Sequence, residues 1–506
     1  MKILFIYPEI RTDIPGFTGY YAEGPAILSA VLKARGHQTS LLHLTRSVSR
    51  KRFQSELRRR DYDLIGFSSL SPVFAEVRRL APVAKEVRDV PVVYGGVHPT
   101  LNPEECLSVP GIDAVCVGEG EQALVELVER LEQGGSPEGI QNLWVQKDGK
   151  AVKTPTRGLI EDLDSLPLPD FPLFQIPRLF SAREGVATLT ASRGCPFHCS
   201  YCSNHRVRDL YPNRQKYVRF KSVRRTIEEA GAQLSLAPRL RYLDFSDDIF
   251  ILKLAWLEEF AHLFPREVGR PFICNAMVRL IDEKRVSLLR QAGCTMVTVG
   301  LESGSERLRH EIMNRPRMTN EMILEAGRLL RRHGIKIATY NMIGLPTETV
   351  EEAFETISLN ARLKPAKINE FIFQPYPQTA IFDKCVELNI YNGKTTLPYN
   401  WRKGSVLVQD SFPPDQVVFL HRYFRVLVLL LARAARRSPA SEDRLVLVIR
   451  RNILPRKTLT KALCLLHTVL FNCLKIVYVK VLSGSFNRRA KEFTRLRDPG
   501  PAQDKP

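Results

Sequence analysis

The sequence predicts an α/β fold in three parts: a doubly wound parallel sheet, an incomplete parallel barrel after it, and a helical extension at the carboxyl end. Three observations predict it. Short apolar runs alternate with amphipathic helical patterns twice, before and after a proline-rich stretch. At 506 residues the chain is too long for one ordinary domain. Beyond about residue 385 the alternation stops, and long apolar, basic helical runs take over.

Residues 1–135 form the first unit, with strands read at KILFIY, TSLLHL, LIGFSSL, VPVVYGG and AVCVGEG. Helical patterns lie between them, such as PAILSAVLKARG, which ends at Gly36. Ligands of such sheets sit beyond the carboxyl ends of the strands, here the loops after Tyr7, Ser68 and Tyr94. Those loops hold small residues: Ser68 and Ser69, Gly95 and Gly96, and Gly118-Glu119-Gly120. A connecting stretch, 136–184, is rich in proline around LPLPDFPLF and cannot form long regular elements.

The second alternation, 185–385, begins with VATLTAS. It continues through LRYLDFSDD, PFICNAM, CTMVTVGLES, IKIATYNMIG and KINEFIFQPY, with helical patterns such as NEMILEAGRLLRRHG between them. Six strands over about 200 residues suggest a partial (β/α)6 barrel. In the extension, 386–506, polar residues of 417–437 and of 461–482 each trace one narrow helical stripe beside a broad apolar face. Neither run has the roughly 18 uninterrupted apolar residues of a membrane span. Two readings stay open for 461–482: docking on a membrane surface, or capping the domain or a dimer.

Hydrophobic content of 44% and charged content of 25% are ordinary for a soluble globular protein. The opening MKILFIYPEI meets Pro8 and charged residues too soon for a signal peptide, and reads as a buried first strand. Ten cysteines, three of them clustered, argue for reduced thiols in a cytoplasmic setting rather than a disulfide framework. Of the net charge of +20, the residues from Arg433 onward supply +12, from 17 Lys/Arg against 5 Asp/Glu. Such asymmetry fits a basic tail meeting an anionic partner; a solvated basic surface is the plainer alternative.

The chemistry is concentrated in GCPFHCSYC, which places Cys195, Cys199 and Cys202 in a CxxxCxxC array after a strand. Thiolates select zinc, copper or iron–sulfur centres. Structural zinc takes four ligands, commonly two CxxC-type pairs, and no second pair follows; His198 and His205 would have to complete the site. Three close cysteines fit a cubane cluster with one iron left open.

This segment resembles the signature of the radical S-adenosylmethionine (SAM) enzymes. The resemblance implies an oxygen-sensitive 4Fe–4S cluster on Cys195, Cys199 and Cys202. Its open iron would chelate the amino and carboxylate groups of SAM and cleave it to a 5′-deoxyadenosyl radical. Tyr201 matches the position that packs near the adenine. FSDDIF resembles the segment that receives the methionine ammonium, with Asp247 and Asp248 as candidates; an acidic cap at a helix N-terminus is the alternative for either. VGLESGSERL makes Glu302 and Ser303 candidates for the ribose or methionine end. MIGLPTET resembles the family's GxPGET segment along the adenine, with Gly344 at its start and Thr347 where glycine is usual. PYPQT departs in the same way at Gln378.

The first unit resembles the Rossmann-like (flavodoxin-like) cobalamin-binding domain that precedes a TIM-like radical SAM barrel in one large subfamily. The supporting segments are EGPAILSAVLKARGH, GFSSLSP, VYGGVHPTLNPEE and DAVCVGEGE. Cofactor-binding candidates are Ser68, Ser69, Gly95, Gly96, Gly118 and Glu119. No DxHxxG motif supplies an axial histidine, and His98 reads as structural. Cys106, Cys116, Cys274 and Cys294 read as small buried hydrophobes.

The activity so implied is methylation of an unactivated carbon with SAM and cobalamin. A radical cyclisation, rearrangement or carbon–carbon bond formation is the alternative. RNA modification and a corrinoid-binding scaffold rank lower. Expected partners are a small-molecule or lipid-like substrate and a flavodoxin or ferredoxin, with no nucleic acid. The expected location is the cytoplasm, with peripheral association at the inner membrane face.

Overall fold

The computed structural model describes residues 1–11, 14, 16–315, 317–393 and 404–477, with side chains to 467. In the first sheet, β1 (Lys2–Pro8), β2 (Gln38–Leu44), β3 (Leu64–Ser68), β4 (Val92–Gly95) and β5 (Ala114–Cys116) run parallel in the order β2-β1-β3-β4-β5. Leu4, Ile6, Ile65 and Val115 are wholly buried, as expected of strands covered on both faces. The strand order reverses between β1 and β3, so the crevice at their carboxyl ends is where a ligand fits.

The stretch expected as a linker contributes more than a connection. Leu143–Lys147 (β6) and Lys150–Val152 (β7) extend this sheet as an antiparallel hairpin. The hairpin escaped the sequence reading because its strands are short and its outer face is polar. Farther on, Phe171 and Phe174 bury their rings against Tyr21 of the first unit. The prolines of this stretch thus carry aromatic wedges into the seam between the two sheets.

The second sheet consists of β8 (Val186–Leu189), β11 (Tyr242–Phe245), β12 (Phe272–Ala276), β13 (Cys294–Glu302), β14 (Lys336–Ile343) and β15 (Lys367–Ile372). All are parallel and lie in sequence order from β8 to β15. A small antiparallel pair, β9 (Ser192–Arg193) and β10 (Arg219–Phe220), sits above β8. This is a half-barrel, open between β8 and β15. Its outer face is close-packed: Phe245 and Phe272 meet edge to face at 5.4 Å and pack on Phe260 and Phe264 of helix Leu254–Glu267.

The run 417–437 lies within helix Pro414–Arg437, which buries Phe419, Leu420, Phe424, Leu427 and Leu431 with Phe354 and Ile357 of helix Val350–Leu363. Helices Pro439–Asn452 and Lys457–Val477 pack back on it. Most of 461–482 is therefore helical; its last residues, 478–482, lie outside the described residues. Among the described residues no helix is long and apolar enough to cross a membrane.

Candidate functional site: two adjoining cofactor sites

The cysteine loop leaves the half-barrel between β9 and the helix Asn204–Asp209. Gly194 opens it with φ +88°, and a β-carbon there would collide with the Tyr217 carbonyl oxygen, so only glycine fits. The loop is then pinned from two neighbouring segments. Ser200 N donates to Met313 O at 3.1 Å and its carbonyl accepts from Ile381 N at 3.1 Å, while Asn314 Nδ2 donates to His198 O at 2.8 Å. Cys202 N closes a turn on Cys199 O at 3.1 Å.

Cys199 is buried, and Cys195 and Cys202 are half-buried. Burial pushes the Cys195 thiol up to about 12 and raises Cys199 and Cys202; Cys195 and Cys202 also feel neighbouring thiols, while Arg315 pulls Cys199 the other way. Thiols held this way become ligands only when a metal displaces their protons. Among the described residues no three His, Cys, Asp or Glu side chains close on one point as a single ion requires. His198 is exposed and His205 half-buried, and neither joins the cysteines in such a group. A cubane asks for a different arrangement, with each thiolate on its own iron, and three neighbouring thiols fit that demand.

Around this loop the structure separates the candidates. Asp247 is buried and its carboxylate is taken up by Ala191 N at 3.0 Å and by the Ser192 hydroxyl. Burial nevertheless pushes it up to about 6. It holds the strand end that feeds the cysteine loop. Asp248 is exposed, bonded to Asn204 Nδ2 at 3.1 Å, and it raises the pKa of both Cys195 and Cys202. An incoming ammonium beside the thiols would therefore meet Asp248. Ser303 is wholly buried, its hydroxyl 3.2 Å from Ser305 N.

Glu302 ends β13 with φ +66°. Its carboxylate accepts from Tyr201 Oη at 3.2 Å and pairs with Arg315 at 3.3 Å. Arg315 also donates to Tyr201 Oη at 3.3 Å. Burial raises the Glu302 carboxyl against the opposing pull of Arg315. Arg315 was not anticipated: it lies in RPRM, away from any motif, and only its folding back under Glu302 reveals it. Gly344 N donates to the Glu348 carboxylate, and Glu348, wholly buried, ties the loop after β14 together. Thr347 and Gln378, the two departures from glycine, take φ +62° and +64°. The glycine-type backbone is thus kept, and Arg307 secures it by donating to Thr347 O at 3.1 Å.

A cavity of about 370 Å3 opens at the carboxyl end of the first sheet. Ser68, Gly95, Gly96, Gly118, Glu119 and Gly120 line it, with Gly24 and Gly66, which the sequence reading passed over. A β-carbon at Gly24 would meet nothing within 4 Å, so the small residues hold open a cleft that a slender group can thread. That suits the nucleotide tail of a corrinoid. Ser69 lies apart, its hydroxyl 2.6 Å from Tyr94 Oη. His98 is packed on Phe74 at 4.2 Å with Nδ1 on Ser71 Oγ at 3.1 Å, and burial lowers it to about 4.

The cleft is shared between the two sheets. Thr190, Ser192 and Arg193, just before Cys195, form its far wall. A second cavity of about 260 Å3 adjoins it at Gly96, Gly118, Glu119 and Arg193. Buried ion pairs close the seam. Glu119 receives Arg219 through two bonds of 2.8 and 3.0 Å and Arg193 at 3.1 Å. Arg193 also meets Glu121 at 2.8 Å, and Lys221 meets Glu23 at 2.9 Å. Burial works to raise the Glu119 carboxyl, but Arg219 and Arg193 hold it below the usual range.

The radical SAM superfamily model matches residues 189–359, and the B12 binding domain model matches residues 21–128. An uncharacterized methyltransferase from Pyrococcus horikoshii is 28% identical over 448 residues, spanning 85% of this chain and 94% of that one. The anaerobic magnesium-protoporphyrin IX monomethyl ester cyclase of Rubrivivax gelatinosus is 28% identical over 399 residues, covering 76% of this chain and 70% of the cyclase. The solved radical SAM methyltransferase TsrM from Kitasatospora setae shares the fold with a TM-score of 0.62 at 19% identity, over 76% of each chain. Residues 189–359 are thus a radical SAM domain and residues 21–128 a B12-binding domain ahead of it, the make-up of a cobalamin-dependent radical SAM enzyme. Its cofactors are a 4Fe–4S cluster, SAM and cobalamin.

Proposed function

We propose that this enzyme methylates an unactivated carbon of a small-molecule or lipid-like substrate. The observation that carries the reading is the shared cleft: Thr190, Ser192 and Arg193 of the cysteine-bearing segment wall the cavity of the first sheet. A corrinoid held there and a cluster held by Cys195, Cys199 and Cys202 would face one substrate. The bound cofactors supply the electron that cleaves SAM and the methyl group that is transferred. The chain's own residues orient and enclose them.

In this reading Asp248 accepts the methionine ammonium. Arg315, pinned by Glu302, offers its charge toward the carboxylate end, and Tyr201 with the Gly344 loop borders the adenine. Ser68, Gly95, Gly96 and Gly118 leave room for the corrinoid, while the Glu119 pairs keep water out of the seam. The name of the Pyrococcus relative supports methylation. That of the Rubrivivax relative favours the second reading, a radical cyclisation without net methyl transfer. A flavodoxin or ferredoxin would supply the electron, and the enzyme would work in the cytoplasm at the inner membrane face.

Anaerobic reconstitution with iron, sulfide and hydroxocobalamin, followed by mass spectrometry of the adenosyl products, decides between the two readings. Methylation requires S-adenosylhomocysteine and 5′-deoxyadenosine together, with a product heavier by one methylene. Production of 5′-deoxyadenosine alone while substrate is being turned over rejects it.

A further inference from the structure

We infer that the three carboxyl-terminal helices form a docking surface for an anionic lipid bilayer. The inference deepens the lipid-like reading of the substrate, but its test does not depend on which reaction occurs. Eight of the sixteen exposed large hydrophobic side chains of the described residues fall between Val426 and Leu466. Leu429 and Leu465 are each 66% exposed, beside Leu430, Leu447, Val448 and Leu466. A monomer's surface rarely gathers so many.

The cations are placed to match. On each helix an exposed cation stands one turn from the outward apolar residues: Arg433 beyond Leu429, Arg444 and Arg451 around Leu447 and Val448, and Lys461 before Leu465. From 426 to 467 there are 9 Lys/Arg against 2 Asp/Glu. Leucine with flanking arginine or lysine is the pattern of helices that lie in the interfacial plane, apolar side chains inward and cations at the headgroups. A cleft of about 470 Å3 completes the surface, where Lys364, Arg425 and Arg436 converge beside Leu429. Arg425 is already paired with Glu370 at 2.9 Å, whereas Lys364 and Arg436 make no ion pair among the described residues. A lipid phosphate fits between them while its acyl chain follows Leu429.

Charge also selects this occupant over the others. A second copy would set two net-positive faces against each other. The chain's own segment 478–506 is basic too, with 7 Lys/Arg against 3 Asp/Glu. Nucleic acid shares the charge preference, but the exposed apolar residues of the patch are Leu and Val, with none of the aromatic rings on which bases stack.

The test is sedimentation of the anaerobically purified full chain with vesicles of phosphatidylcholine alone or mixed with phosphatidylglycerol. We expect partitioning to the mixed vesicles that falls with salt. It should fall about tenfold or more in a Leu429→Asp, Leu465→Asp double variant. Lys364→Gln and Arg436→Gln should each weaken it about fivefold. Cluster absorbance and substrate-free SAM cleavage should stay unchanged in all of them. Equal sedimentation with both vesicle types, undiminished binding in the double variant, or wild-type binding to polyuridylate or self-association that these substitutions abolish overturns the inference.

Discussion

The cysteine loop and the cleft of the first sheet are built by opposite means. At the loop, the proposed function rests on groups that are present: three thiols, Asp248, and the Tyr201–Glu302–Arg315 cluster. At the cleft it rests on groups that are missing, since Gly24, Gly66, Gly95 and Gly120 bring no side chain to a cavity that Phe5 and Leu28 also line, and a β-carbon at Gly24 would enter open space. A site made of ligands fails when one is removed. A site made of space fails when something is added. The two sites can therefore be broken separately.

The largest effect is expected at the loop. Cys199→Ser should abolish the cubane absorbance and all SAM cleavage while leaving corrinoid binding intact, as ultraviolet–visible spectra and adenosyl product analysis would register. Next comes the cleft, where Gly24→Leu places a side chain in the cavity. It should weaken corrinoid retention roughly 10- to 100-fold, the cost of overpacking, with thermal stability and cluster content unchanged. If that variant keeps its cobalamin, the cleft is not the binding site.

The comparison also explains what could be read from the sequence. CxxxCxxC stands out because soft ligands at tight spacing are rare and chemically specific. Alternating apolar runs revealed both sheets for the same reason, since burial dictates residue type strand by strand. What escaped reading depends on contacts distant in sequence. Asp247 and Asp248 are adjacent and chemically identical, yet one is consumed by Ala191 and Ser192 while the other faces the thiols. Arg315 needs Glu302 to give it meaning. The β6–β7 hairpin has too few residues to show a period, and Gly24 is an ordinary helical residue until the empty space beside it is seen.

Smaller effects sharpen the division of labour among the carboxylates. Asp247→Ala strands two buried donors, Ala191 N and the Ser192 hydroxyl, at about 1–3 kcal/mol each. Denaturant unfolding of the apoprotein should show the loss. Asp248→Ala, at an exposed site, should leave stability within about 0.5 kcal/mol and instead weaken SAM binding. Equal destabilisation by both would dissolve the distinction.

The smallest effect is a pH dependence. Burial pushes the Glu348 carboxyl up to about 8, with Leu345 N and Gly344 N pulling the other way. The folded chain then holds a proton that the unfolded chain has released. The stability this gives is complete below the ordinary glutamate range and is lost as pH rises to about 8. Melting temperature should therefore decline between pH 5 and 8, and Glu348→Gln should flatten that decline by a few degrees.

The seam has a bearing on engineering. Glu23, Glu119 and Glu121 belong to the first sheet's domain, and Lys221, Arg193 and Arg219 belong to the barrel. Docking the barrel on a carrier without those acids would bury Arg193 and Arg219 without counterions, a state that costs several kcal/mol per charge, while Lys221 would keep Glu229 at 2.6 Å. The barrel is consequently not a portable module. Grafting it behind a foreign corrinoid carrier requires transplanting the matching acids with it, and chimaeras that ignore this ledger of charges should be recovered as aggregates.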